Sequence, residues 1–222
     1  MMEQKNFIHA DKSWTIEELS AIEENGKRLY DSPAGKLPSV TTVTGWEKKK
    51  FFAKWRRDNP TESKRVLVRG SLLHEIIEDY LNNKDINLND IPVNETRLFL
   101  NIKPVLDNID NIYELEVPLW SHATMLAGRA DCIAEYNGKL SVIDFKGSTK
   151  PKKEQYIDNY FQQATAYAIA WQERTNIPIN NFVIMITCED GSVQVFEKNP
   201  VDYTRQLLET IENYHESVSS VV

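Results

Sequence analysis

Asp131, Asp144 and Lys146 fall within "GRADCIAEYNGKLSVIDFKGSTK" (residues 128–150), a stretch that otherwise reads as a buried β-hairpin. Charged side chains are seldom buried unless they are paired or hold a metal. Asn137-Gly138 is a strong two-residue hairpin signal, because a type I′ turn requires positive φ at both central positions. With those residues as the turn, Tyr136 faces Lys139, and counting outward sets Asp131 across from Asp144 unless a bulge intervenes. Opposed Cβ atoms lie about 5 Å apart, so two ionised carboxylates repel unless one is protonated or a cation lies between them. A hard divalent ion such as Mg2+ resolves the conflict through oxygen ligands and leaves room for a phosphate. Lys146, two residues past Asp144, shares its strand face. An ammonium there can orient or help deprotonate an attacking water and offset charge developing on phosphorus. The competing reading is a plain salt bridge at a strand end, since short D-x-K matches arise by chance.

"VRGSLLHEIIEDYLNN" has apolar residues at 72, 73, 76, 77 and 81, the repeat of an amphipathic helix, and sets His74 and Glu78 one turn apart on one face. Taken singly, His74 fits a core or surface histidine and Glu78 a solvated helix charge. Between Gly45 and Gly70, nine basic residues stand against three acidic ones, in a chain whose net charge is −7. A solvated helix face accounts for such a run. The interleaved Trp46, Phe51, Phe52 and Trp55 either fill a core or add stacking platforms beside phosphate-binding cations. On the second reading Lys49, Lys54, Trp55, Arg56, Arg57 and Arg69 are the candidate nucleic-acid contacts.

The elements that must position these residues follow in order. Residues 1–36 read as a polar, partly irregular extension with a helix-like start at Ser13 or Thr15. "KLPSVTTVTGW" reads as extended, leading into a basic helix from about Lys48 that ends at Pro60. The His74 helix and a second one over about 94–106 precede four strands: "IYELEVPLW", "MLAGRADCIAEY", "KLSVIDFKG" and "FVIMITCED", the last turning into "SVQVFEK". An alanine-rich helix, "DNYFQQATAYAIAWQERTN", separates the third and fourth strands, and a last helix runs from Val201 to about His215. The order predicts an α/β sandwich around one sheet.

At 222 residues one domain suffices, here residues 37–222, with a helical part over 37–110 and the sheet over 111–222. Hydrophobic residues at 41% and charged residues at 27% fit a globular protein without a membrane span. The N-terminus lacks a basic region followed by an apolar stretch, so the expectation is a cytoplasmic protein. Cys132 and Cys188 lack partners at metal-ligand spacing, and two cysteines are too few for the usual four-thiolate iron-sulfur site.

The ordered set resembles the PD-(D/E)XK nuclease superfamily, and within it the RecB-like exonucleases. Gly70, His74 and Glu78 in "RGSLLHEIIEDYL" are similar to the G-x-x-x-H-x-x-x-E helix of that branch. "GRAD" and "VIDFKGS" supply its aspartate and D-x-K through Asp131, Asp144 and Lys146, and "QATAY" its Q-x-x-x-Y helix through Gln163 and Tyr167. The signature proline is replaced by Ala130. The resemblance implies a restriction-endonuclease-like core, a central mixed sheet flanked by helices. It implies a Mg2+ or Mn2+ site held by His74, Asp131, Asp144 and the carbonyl of Phe145, with Lys146 positioning the water. Gln163 and Tyr167 would support the site or touch the DNA backbone, unless they are ordinary helix packing. No iron-sulfur cluster is expected. The implied activity is a DNA exonuclease acting on single strands or free ends, in the replication, recombination or repair of a bacterium or phage and alongside proteins of those processes. A catalytically idle DNA-binding module and a structure-specific endonuclease are the alternatives.

Overall fold

The computed structural model describes residues 5–24 and 27–219. Its main sheet has five strands in chain order: β4 (Ile109–Ser121), β5 (Leu126–Tyr136), β6 (Lys139–Ser148), β7 (Asn181–Cys188) and β8 (Val193–Lys198). β6 and β7 run parallel and the other neighbours antiparallel, which makes the sheet mixed. The parallel pair needs a crossover, supplied by helix α5 (Asp158–Thr175). That helix stops at Asn176, whose φ of 60° suits an asparagine in the left-handed region.

Both sheet faces are covered, so all eight residues of β7 are buried and its sequence is a continuous apolar run rather than an alternation. Val183 and Met185 point into a core with Leu73, Ile77, Leu98 and Phe99 from helices α3 (Pro60–Leu81) and α4 (Val93–Leu106). Phe182, Ile184 and Ile186 point the other way, against Phe161, Ala164 and Trp171 of α5 and Leu207 of helix α6 (Val201–Ser219). The period of two along one strand thus sorts side chains between two helical layers.

The hairpin register is as counted. Asn137 and Gly138 have φ of 51° and 75°, and the pairs run from Tyr136↔Lys139 to Cys132↔Ile143. One step further, at Asp131 and Asp144, the ladder stops, and the Phe145 N–H donates instead to Asp131 Oδ2 at 2.9 Å.

Three stretches differ from the sequence reading. The segment after Ser13 forms no helix there; it stays irregular and then enters a three-stranded antiparallel sheet, β1 (Ser20–Glu24), β2 (Lys27–Ser32) and β3 (Gly35–Pro38). Tertiary packing overrides local preference: Trp14 stacks on Tyr113 at 5.3 Å, and Leu19, Tyr30 and Leu37 bury against Trp120 and Ala127. "VTTVT" is a short helix, α1 (Val40–Thr44), despite its β-branched residues; Ser39 Oγ caps it by accepting the Thr42 N–H at 3.1 Å, and Val40 and Val43 are buried. Pro60, besides closing the basic helix α2 (Lys49–Asp58), opens α3, because proline lacks only an N–H that a first helical turn leaves unpaired anyway.

Candidate active site

The two aspartates and the lysine come from the strand ends where β5 parts from β6. Asp144 is 2% exposed, and its Oδ1 accepts from Lys146 Nζ at 2.6 Å and from Gln163 Nε2 of α5 at 2.8 Å. Its Oδ2 lies 2.5 Å from the same Nζ, yet accepts no well-directed hydrogen bond from the described residues. Lys146 Nζ also sits 5.3 Å from the centre of the Tyr160 ring, a cation–π contact.

His74 projects from α3 with Nδ1 3.6 Å from Asp131 Oδ2. α3 sits close to the sheet at Gly147: a Cβ there would lie 3.1 Å from Leu73 Cδ2, which would have to shift by a few tenths of an ångström.

A fourth acid joins from β4. The pairs Leu115↔Cys132 and Val117↔Ala130 bracket Glu116 and Asp131 across β4 and β5. Glu116 has φ of 47°, a left-handed conformation rare for a non-glycine residue in a strand. One ligand atom each from His74, Glu116 and Asp131 lies within 4.8 Å of the others. Glu116, Asp131 and Asp144 therefore form a row of acids across three neighbouring strands.

The electrostatics register this crowding. Burial, then repulsion from Asp131, pushes Glu116 up to about 7. Burial pushes Asp144 up to about 6, with the attraction of Lys146 opposing it and the repulsion of Asp131 adding to it. For Lys146 burial acts downward, but the carboxylates of Asp144 and Asp131 outweigh it and hold the ammonium above the ordinary lysine range. Carboxylate oxygens and an imidazole nitrogen are a donor set that fits a hard divalent cation.

The cluster opens into a cavity of about 670 Å³ lined by His74, Glu78, Glu116 and Asp131, with Gly70, Arg28, Arg129 and Tyr167 around them. Tyr167 is 2% exposed and its ring rests against Gly128, where a Cβ would fall 2.7 Å from the hydroxyl. Burial raises the Tyr167 hydroxyl well above its ordinary value.

The structure thus brings His74, Glu78, Asp131, Asp144, Lys146, Gln163 and Tyr167 together, with the Phe145 N–H held by Asp131. Lys49, Lys54, Trp55, Arg56 and Arg57 lie on α2, where nine of ten residues are exposed and Trp55 is half-buried. Arg69 differs. It is 2% exposed, it pairs with Glu189, which also takes Arg65, and its Nη2 donates to the Gly147 carbonyl at 3.2 Å. An arginine committed in this way braces α3 against the end of β6, and it also stands in the wall of a cavity beside α2.

Sequence reasoning missed Glu116 and Tyr160. Tyr160, Gln163 and Tyr167 follow a three-then-four spacing on α5, a polar stripe on an otherwise apolar face that was open to reading. Glu116 gave no such signal, because the loop joining β4 to β5 carries no register-setting dipeptide.

Fold and side chains together have the layout of a nuclease superfamily. The family model of the PD-(D/E)XK nuclease superfamily matches residues 95–218, and the chain belongs to that superfamily. Among curated proteins it is similar to mitochondrial genome maintenance exonuclease 1 of Xenopus tropicalis, 29% identical over 176 residues, covering 71% of this chain and 50% of the relative. The human protein of the same name is 29% identical over 133 residues, 57% of this chain and 38% of the relative. The chain therefore spans half or less of the length of these two relatives.

Proposed function

We propose that this protein is a Mg2+- or Mn2+-dependent DNA exonuclease that works on single strands and free ends. The observation that carries the reading is the three-strand row of Glu116, Asp131 and Asp144, with His74 on one side and Lys146 on the other. His74, Glu116, Asp131 and Asp144 would hold the ion, which when bound supplies Lewis-acid charge to the phosphodiester. Lys146 does the chain's own chemistry: an ammonium fixed by Asp144 and Tyr160 orients the attacking water and offsets negative charge as the P–O bond breaks. Gln163 holds Asp144 in place by its hydrogen bond to Oδ1. The relatives' shared name, an exonuclease, supports the preference for ends.

The test is incubation with end-labelled linear and with circular single-stranded DNA, in Mg2+, in Mn2+ and in chelator, beside Asp144→Ala and Lys146→Ala. We expect linear strands to shorten only with metal, circles to persist, and either substitution to cost at least about 100-fold in rate. Intact linear DNA in the presence of metal would refute the enzyme reading, and circles cut as fast as linear strands would refute the exonuclease reading.

A further inference from the structure

α2 is amphipathic, yet its apolar residues turn toward solvent. Phe51 is 68% exposed and Phe52 45% exposed, and their rings meet edge to face at 5.4 Å. Leu67, across the bend between α2 and α3 and in the wall of the cavity beside α2, is 71% exposed. Contiguous exposed apolar surface of this kind marks a binding site more often than an accident of packing.

This surface forms one side of that second cavity, of about 520 Å³, whose lining includes Phe51, Phe52, Trp55, Tyr160 and Lys152. The cavity is continuous with the chemistry. Tyr160 is the ring beneath Lys146 Nζ, Gly147 lies in the cavity wall, and Val66 and Leu67 line this cavity and the acidic one alike. Its wall carries cations: Arg56 of α2, Arg69 of α3 and Lys152 after β6 line it, with Arg69 already paired to Glu189. Aromatic rings between cations match an unpaired nucleotide, whose base stacks while its phosphates are neutralised. A duplex keeps its bases inside and offers nothing for these rings.

We propose that the cavity under α2 is a base-stacking subsite for unpaired nucleotides next to the scissile phosphate, with Leu67 as an apolar wedge between it and the acidic cavity. The inference rests on the single-strand nuclease reading and adds how such a strand is held: by a base turned out onto the rings of α2. A phosphate drawn to Lys146 and a base held on Phe51 and Phe52 place the cut between two differently recognised halves of the strand.

The experiment walks a single abasic site along a single-stranded oligonucleotide and measures its affinity for the Lys146→Ala protein by fluorescence anisotropy. The same series is run with Phe51→Ala and Phe52→Ala added; both side chains are exposed, so the fold survives their loss. We expect base removal at one or two adjacent positions to weaken binding about tenfold. The added substitutions should weaken binding of the intact strand by a similar factor and abolish the positional effect. Binding that ignores the abasic site in every protein, or a positional effect that survives loss of both rings, overturns the subsite. Metal-dependent cleavage by the unsubstituted protein is scored separately. An active nuclease blind to base removal refutes the subsite alone, and base-dependent binding without cleavage refutes the nuclease reading alone.

Discussion

Replacing Glu116 by glutamine keeps the shape of the side chain and removes one negative charge from the row of acids. The Glu116 carboxyl rises from 4.5 to about 7 on burial beside Asp131. A carboxyl whose value is raised by folding contributes stability that is fully present below its unfolded value and is lost as pH rises through its folded one. At ~1.4 kcal/mol per pH unit the rise corresponds to about 3 kcal/mol. The cavity is open to water, so screening reduces this to about 1–2 kcal/mol. Glu116→Gln cannot ionise and escapes the loss, while Asp144 titrates in both proteins. In chelator the two should unfold alike near pH 4.5, and the variant should melt about 2–8 °C higher at pH 8. Saturating Mg2+ or Mn2+ at pH 8 should reverse the order: an ion at 100 times its Kd stabilises by about 2.7 kcal/mol, and the variant has lost a ligand. Thermal melts at four pH values, with and without metal, decide the matter. A variant no more stable than the parent in chelator at pH 8 would refute the crowding argument. Equal stabilisation of both by metal would remove Glu116 from the ligands.

Three further outcomes are expected. Gly128→Ala drives a methyl to 2.7 Å from the Tyr167 hydroxyl and 3.0 Å from its ring and should cost about 1–3 kcal/mol in urea unfolding; adding Tyr167→Phe should recover part of it, and no recovery would show that the hydroxyl is not the atom that clashes. Arg69→Met leaves Glu189 with Arg65 alone and should cost about 1–3 kcal/mol in urea unfolding; because the guanidinium is committed to Glu189 and Gly147, the salt dependence of DNA binding, read by anisotropy titration, should change little, and a clearly flatter slope would show that Arg69 neutralises phosphate. Gly70 lies in α3 facing open space at the acidic cavity, so Gly70→Ala should raise stability by about 0.5–1 kcal/mol and weaken single-strand binding; full affinity would show that DNA keeps away from that turn.

Local chemistry made part of this site readable in advance. Asn137-Gly138 admits one kind of turn, and the register it sets runs true up to the pair beside Asp131 and Asp144. His74 could be set on a helix by periodicity, though its meeting with Asp131 comes from the packing of α3 on the sheet, which no local pattern encodes. Arg69 looked like its neighbours because a run of cations carries no mark of which one is buried; the partner that decides it, Glu189, is 120 residues away. The small β1–β3 sheet was hidden for a related reason, since burial of Tyr30 and Leu37 against Trp120 gives those short strands their purpose.

The irregular segment ahead of β1 bears on how the molecule meets copies of itself. Its backbone grips the outer edge of β4: the Ile112 N–H donates to the Ile8 carbonyl at 2.8 Å, and the Ala10 N–H returns a bond to the Ile112 carbonyl at 2.9 Å. Open sheet edges invite strand addition and aggregation. Here a stretch of the same chain occupies that position, and at the far edge β8 carries Glu197 and Lys198, paired with Lys139 and Glu154. Trimming the first dozen residues would therefore bare the Ile112 N–H and carbonyl on the edge of β4 and make the shortened chain more prone to self-association.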